Sequence, residues 1–225
     1  LDKSEIIVRA QLMDAHLSKA LGKGRLALIG LSDLLSRSIL TDDNLHLLLK
    51  RKVKETGHIR SILFIDKDGK ISADSSREEA IPLDLSDRGY FKKAKLGKSN
   101  EMQIGGILAG RTSGFPFIPL TMPVYSGKNF LGVLAAVLTP EELLLLDRST
   151  RCELCVSIVS KNNGAMLEQY PEVIGLEDFV KSFANNQRSS FGYVIMNTGD
   201  LDAKVAWVTN EYFPIRSIYL EFIQK

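Results

Sequence analysis

Apolar residues in the first forty positions recur at alternating spacings of four and three. Ile6, Ala10, Met13, Leu17, Ala20, Gly24, Ala27, Leu31 and Leu34 form a heptad seam that no proline interrupts. The spacing predicts one long helix over 1–40. Gly22, Gly24 and Gly30 each cost about 1 kcal/mol relative to alanine inside a helix, so packing has to hold them. A second apolar row, Leu12, Leu21, Leu28 and Leu35, broadens the buried face. One side of the helix is therefore expected to pack on its own domain and the other to meet a second copy; a single core helix is the alternative.

Thr41-Asp42-Asp43 is a capping cluster for a second helix, Asn44 to Glu55, which Gly57 ends. The period then changes from helical to alternating. Ile62 to Ile65 reads as a strand, Asp66-Lys67-Asp68-Gly69 as a tight turn, and Lys70 to Asp74 as the returning strand. Asp84 or Ser86 can cap a short helix from Asp87 to Lys95. Strands are predicted over Met102 to Ala109, Phe117 to Val124 and the strongly apolar Phe130 to Leu138. Thr139-Pro140-Glu141-Glu142 opens a helix through Leu146, with Pro at its favoured first position.

The plan then recurs. Cys155 to Val159 and Ala165 to Gln169 form a second hairpin around a turn ending in Gly164. A helix follows over Leu176 to Phe183, then strands over Phe191 to Met196, Ala203 to Thr209 and Ser217 to Ile223. Aligning Gly164 with Gly69 superposes hairpin, helix and later strands, with little identity between the halves. The fold class is α+β: a long N-terminal helix, then two tandem modules, each an antiparallel sheet flanked by helices. The expected divisions are 1–40 (stalk and dimerisation helix), 41–148 and 149–225.

Composition narrows the function. The 225 residues are 44% hydrophobic and 25% charged, an ordinary globular balance. Lys+Arg 29 against Asp+Glu 27 leaves a net charge of +2, too small a basic excess for a nucleic-acid binder. The longest apolar run, Phe130 to Leu138, is far below the ~18 residues that span a bilayer. The chain opens Leu1-Asp2-Lys3 without an initiator methionine, so it reads as a domain excised from a longer protein.

Several motifs carry no chemistry on inspection. Cys152-Glu-Leu-Cys155 lacks the two further ligands a structural zinc requires, and it runs into a strand rather than opening a helix as redox pairs do. Incidental or structural cysteines, or a local disulfide, remain. Asp66-Lys-Asp68-Gly69 has neither the third acidic ligand nor the closing glutamate of a calcium loop, for Arg77 stands in that place. Gly105-Gly106-Ile-Leu-Ala-Gly110 has no Lys-Ser/Thr and opens no helix, so it is not a phosphate loop. No Gly-x-Ser-x-Gly or His-Glu-x-x-His occurs, and His16, His46 and His58 join no triad. No catalytic residue, metal or cofactor is implied.

What remains is Asp87-Arg88-Gly89-Tyr90-Phe91, followed by Arg111-Thr112-Ser113-Gly114-Phe115-Pro116-Phe117. An arginine at a helix start, where free backbone N–H groups gather, suits a carboxylate. Tyr90 and Phe91 can wall a pocket, and Thr112, Ser113 and Thr121 offer hydroxyls. The competing reading pairs Arg88 with Asp84 or Asp87 and puts the aromatics in the core.

At these residues the chain resembles the double Cache sensor domain, also called the PDC (PAS-like) extracytoplasmic domain. The resemblance rests on LDLSDRGYFKKA, GRTSGFPFIPLTMPV and GVLAAVLTPEEL, and it extends over nearly the whole chain. It implies a domain outside the cytoplasmic membrane, between transmembrane helices of a receptor: a histidine kinase in preference to a diguanylate cyclase or chemoreceptor. It implies no enzyme in this segment, a membrane-distal module (41–148) that binds a small molecule, a membrane-proximal module (149–225) that transmits, and a homodimer through the long helix. Arg88 matches the arginine that meets a ligand carboxylate, and Tyr90 the aromatic two residues on. Thr112, Ser113 and Thr121 fall in the pocket-lining segment. Phe117 and Pro119 alternate onto the face of Thr121 and would form its apolar wall. Amino-acid sensors of the family carry an Asp near the end of the central strand, and C4-dicarboxylate sensors a Lys; here Ala135, Ala136, Val137 and Leu138 stand there. A small or apolar monocarboxylate is the expectation. A ligand-free dimerisation or partner-protein module is the alternative function.

Overall fold

The structure is a computed structural model that describes residues 1–37, 42–97, 101–144, 152–197 and 202–223. The chain forms two compact units. The central unit is Ala20–Thr139; the terminal unit combines Leu1–Lys19 with Pro140–Lys225. The boundary falls inside helix α1, Lys3–Ser36.

In the central unit, α2 (Asp42–Thr56) precedes a hairpin of β1 (Ile59–Asp66) and β2 (Ile71–Asp74). Helix α3 (Gly89–Leu96) and the short strands β3 (Gln103–Ile104) and β4 (Leu108–Ala109) follow. Then come β5 (Pro116–Ser126) and β6 (Asn129–Leu138). The sheet order is β2-β1-β6-β5-β3, with β4 also pairing β5, and every pairing is antiparallel. β6 is central and buried on both faces from Gly132 to Leu138, which is why it reads as an unbroken apolar run. The β1–β2 turn is fixed by Asp66, whose Oδ1 accepts from the amides of Asp68 at 2.9 Å and Lys70 at 3.0 Å. Gly69 completes it at φ +91°, where a Cβ would collide with Ser86. These bonds account for the Asp-x-Asp-Gly motif as a turn.

In the terminal unit, a 3-10 helix over Pro140–Leu144 is followed by β7 (Cys155–Lys161) and β8 (Met166–Tyr170). Then come α4 (Leu176–Asn186), β9 (Phe191–Asn197), β10 (Asp202–Thr209) and β11 (Ile215–Ile223). The sheet order is β8-β7-β11-β10-β9, the plan of the central unit repeated. Val180 and Phe183 of α4 pack on Val156, Ile158, Ile218 and Leu220, and Phe183 meets Trp207 edge-on at 5.1 Å between ring centres. Asn210 clasps the start of α1, donating from Nδ2 to Asp14 Oδ1 at 2.8 Å and Ser18 Oγ at 2.6 Å. Burial pushes the Asp14 carboxyl above its ordinary value.

The predicted elements are present, with four corrections. The strand expected over Met102 to Ala109 is two short ones. Gly105 donates to Pro119 O at 2.8 Å, and a Cβ there would strike the Pro119 ring. Pro119 has no N–H to return, so a continuous ladder cannot form. The helix expected through Leu146 is a 3-10 helix over Pro140–Leu144, Leu145 and Leu146 lying outside the described residues. Neither Asp84 nor Ser86 caps α3: Arg88 holds the N-cap position without a side-chain cap bond, and Asp84 Oδ1 instead accepts from the Ser86 amide at 2.8 Å. That bond holds the Asp84 carboxyl below its usual value. The last correction concerns α1. Seam residues Ile6 to Leu31 are buried within their own chain, and so are Leu21 and Leu28, but Leu12 is 58% exposed. Val8, Leu26 and Ile29 are exposed too, and with Leu12 they keep heptad spacing on another side of the helix.

The capping role given to Thr41 lies outside the described residues. Cys152 and Cys155 form a disulfide, which settles their sequence alternatives and leaves neither thiolate free for a metal. Among the described residues no helix is long and apolar enough to cross a membrane.

Candidate functional site

The central unit has a half-open cavity of about 380 Å³ between one face of its sheet and the segments that follow β2 and β4. Such a volume suits a small metabolite. Leu63 of β1, Phe117 and Pro119 of β5, and Ala135 and Val137 of β6 form its apolar wall. These positions share a face because side chains alternate along each strand. Ala135 is short where a larger residue in the central strand would fill the space. Ile71, Leu83 and Leu85 extend the apolar lining.

The polar rim has two parts. In one, Arg88 precedes α3 in extended backbone conformation (φ −63°, ψ 132°). Its Nη2 donates to Ala109 O at 3.1 Å, while its Nε is buried without a hydrogen-bond partner. A buried donor left open beside a cavity is satisfied only by something that enters it. The competing sequence reading, in which Arg88 pairs with Asp84 or Asp87, does not hold: the Asp84 carboxylate accepts from the Ser86 amide, and Arg111 takes the Asp87 carboxylate and the Asp84 carbonyl. Its Nη1 donates to Asp84 O at 2.7 Å and its Nη2 pairs with the Asp87 carboxylate. These bonds latch the loop after β4 to the start of α3. Tyr90 lines the cavity beside Arg88, and burial raises its phenol above the ordinary value, so the ring keeps its proton and can donate. Thr112 and Ser113 complete this side.

Nothing in the sequence marks the other part of the rim. Arg60, Ser61, Asp74, Ser76 and Arg77 also line the cavity. The ladder shifts register between Ile59 and Ser61, so Arg60 falls in a bulge. Arg77 follows a tight turn in which Asp74 Oδ1 accepts from the Ser76 amide at 2.8 Å and its hydroxyl at 2.7 Å. A charged residue in or just after a strand reads as solvent-facing. Only the bulge and the turn bring these two round, and neither has a sequence signature here.

The structure thus gathers Arg88, Tyr90, Thr112, Ser113, Phe117 and Pro119 around one cavity and leaves Phe91 and Thr121 outside its lining. Phe91, 2% exposed, packs with Ile65, Leu85, Ala94, Val133 and Ala135. Thr121, 1% exposed, lies on the face of Pro119 opposite Ala135 in the ladder, one step beyond the cavity's end.

No protein-family model matches the sequence, and no curated protein sequence matches it. Solved structures do match its fold. The extracellular domain of rpHK1S-Z16, assigned as a histidine kinase, superposes with a TM-score of 0.87 at 17% identity, covering 98% of this chain and 94% of that one. The sensory domain of the Campylobacter jejuni chemoreceptor Tlp3, with isoleucine bound, gives 0.71 at 12% identity over 97% and 91%. The ligand-binding domain of the Pseudomonas aeruginosa PAO1 amino acid chemoreceptor PctB, in complex with L-Gln, gives 0.74 at 10% identity over 98% and 90%. The chain has the α+β fold of these extracellular sensor domains, in agreement with the double Cache resemblance.

Proposed function

We propose that this chain is the extracytoplasmic ligand-sensing domain of a transmembrane receptor, a histidine kinase in preference to a diguanylate cyclase or chemoreceptor. On this reading it is a binding module and not an enzyme. It takes a small carboxylate-bearing molecule into the cavity of the central unit, and the terminal unit transmits. The observation that carries the reading is the open, buried Nε of Arg88 at the rim of a largely apolar cavity. Support also comes from the whole-length fold match to the rpHK1S-Z16 extracellular domain and from the amino acids held by Tlp3 and PctB.

A ligand that binds only the folded state stabilises it by about 2.7 kcal/mol at a hundred times its Kd. For a chain of this size that raises the melting temperature by roughly 5–10 °C. A thermal-shift screen of small metabolites is expected to find carboxylates that do so. A screen in which no small molecule shifts the transition sinks the reading and favours the alternative, a ligand-free dimerisation or partner-protein module.

We also propose that α1 forms a homodimer. The supporting observation is the exposed row Val8, Leu12, Leu26 and Ile29, not the seam, whose members are already covered. Charges at Leu17 or Leu31 would disrupt the fold, because both are fully buried. Charges at Leu12 and Leu26, 58% and 71% exposed, would disrupt only association. Sedimentation of wild type is expected to show a dimer, and of Leu12→Glu/Leu26→Glu a monomer with an unchanged monomer melting transition. A wild type that stays monomeric at every concentration rejects the dimer.

A further inference from the structure

We infer that the cavity is built for an organic dianion, two acidic groups joined by an apolar body. The inference rests on the sensing reading above and names its ligand class. The lining carries four arginines, Arg60, Arg77, Arg88 and Arg111, against one carboxylate, Asp74. Guanidinium groups stay charged at every physiological pH. Arg111 is neutralised by Asp87. Arg88 makes one bond to a backbone carbonyl and keeps its buried Nε open. The guanidinium groups of Arg60 and Arg77 make no hydrogen bond or ion pair among the described residues, the one bond at Arg77 being from its backbone amide to Asp74 O. The cavity therefore holds one guanidinium with an open donor and two more without any anion.

A monoacid on Arg88 leaves Arg60 and Arg77 with water as their only partner. A zwitterionic amino acid is worse matched, since its ammonium adds positive charge to a lining whose one carboxylate is Asp74. One oxygen of Asp74 already accepts two bonds from Ser76. A second acid group placed on Arg60 and Arg77 balances the lining. The central strand carries no cation, but Arg60 on β1 and Arg77 after β2 supply positive charge from another wall. This departs from the small or apolar monocarboxylate that the family resemblance implies. The apolar wall between, from Leu63 to Phe117, favours a hydrocarbon spacer over a hydroxylated one.

The test is calorimetry at constant ionic strength with α,ω-diacids from succinate to suberate, the monoacids of equal chain length, and norleucine. Wild type is compared with Arg60→Ala/Arg77→Ala. Both positions are exposed, so the double variant keeps its melting temperature. A diacid of one length is expected to bind about tenfold or more tightly than its monoacid, and the double variant to reduce it to the monoacid's affinity. A monoacid or norleucine binding as tightly as the best diacid overturns the dianion while leaving the sensing reading intact. So does a diacid indifferent to the double substitution. A series in which no acid gives heat removes both.

Discussion

Arg88→Ala is expected to weaken carboxylate binding by roughly ten- to a hundredfold, the worth of a charge-assisted bond at a desolvated site. The side chain lines the cavity, its Nη2 rests on Ala109 O, and its Nε is the open buried donor. Truncation removes both the charge and the fork that a carboxylate meets. Arg88→Lys should recover little, because an ammonium supplies one compact charge and no planar pair of N–H groups. Folding should hardly change, since the side chain makes one hydrogen bond to the protein. Titration calorimetry on wild type and both variants reads the effect. Equal affinity in wild type and Arg88→Ala would falsify the assignment of this arginine to the ligand.

Phe91→Ala acts on the other side of the same helix turn and in a different way. Phe91 is 2% exposed, packed among Ile65, Leu85, Ala94, Val133 and Ala135, and stands edge-on to Phe130 at 6.3 Å between ring centres. Removing a buried phenyl ring costs about 3–5 kcal/mol in lost burial and the void left behind. Phe91→Leu retains most of the volume and should cost less than about 1.5 kcal/mol. Urea unfolding followed by circular dichroism measures both. Under conditions where the alanine variant is still folded, its ligand affinity should stay within a few fold of wild type. An undiminished unfolding midpoint together with lost binding would put the ring in the cavity instead of the core.

The adjacent pair Tyr90 and Phe91 shows where sequence reasoning stops. Neighbouring helical residues point about 100° apart, so only one of the two can face a given cavity. Deciding which requires the helix start, and α3 begins at Gly89 without a side-chain cap to mark it. Thr121 illustrates the strand counterpart. Alternation placed it correctly on the face of Phe117 and Pro119, but alternation carries no information about how far along that face a cavity runs. The hairpins, the central apolar strand and the repeated plan were legible because each depends on local turn chemistry or on burial of both faces. In α1 the seam was legible and its covering was not. Leu12, Leu21 and Leu28 occupy one row, yet Leu12 alone is exposed, since burial depends on what lies opposite and not on the row. Arg60 and Arg77 escaped notice because a bulge and a tight turn bring them to the cavity.

Gly24 has a mechanical meaning for this arrangement. A Cβ at that position would stand 3.3 Å from the Cδ1 atoms of both Ile59 and Leu120. Any side chain at this position would therefore have to push both methyl groups aside by a few tenths of an ångström. Ile59 immediately precedes Arg60 on β1, and Leu120 immediately follows Pro119 on β5, so both carry neighbours that wall the cavity. A bulkier residue at 24 would wedge α1 away from the two strands whose next residues wall the cavity.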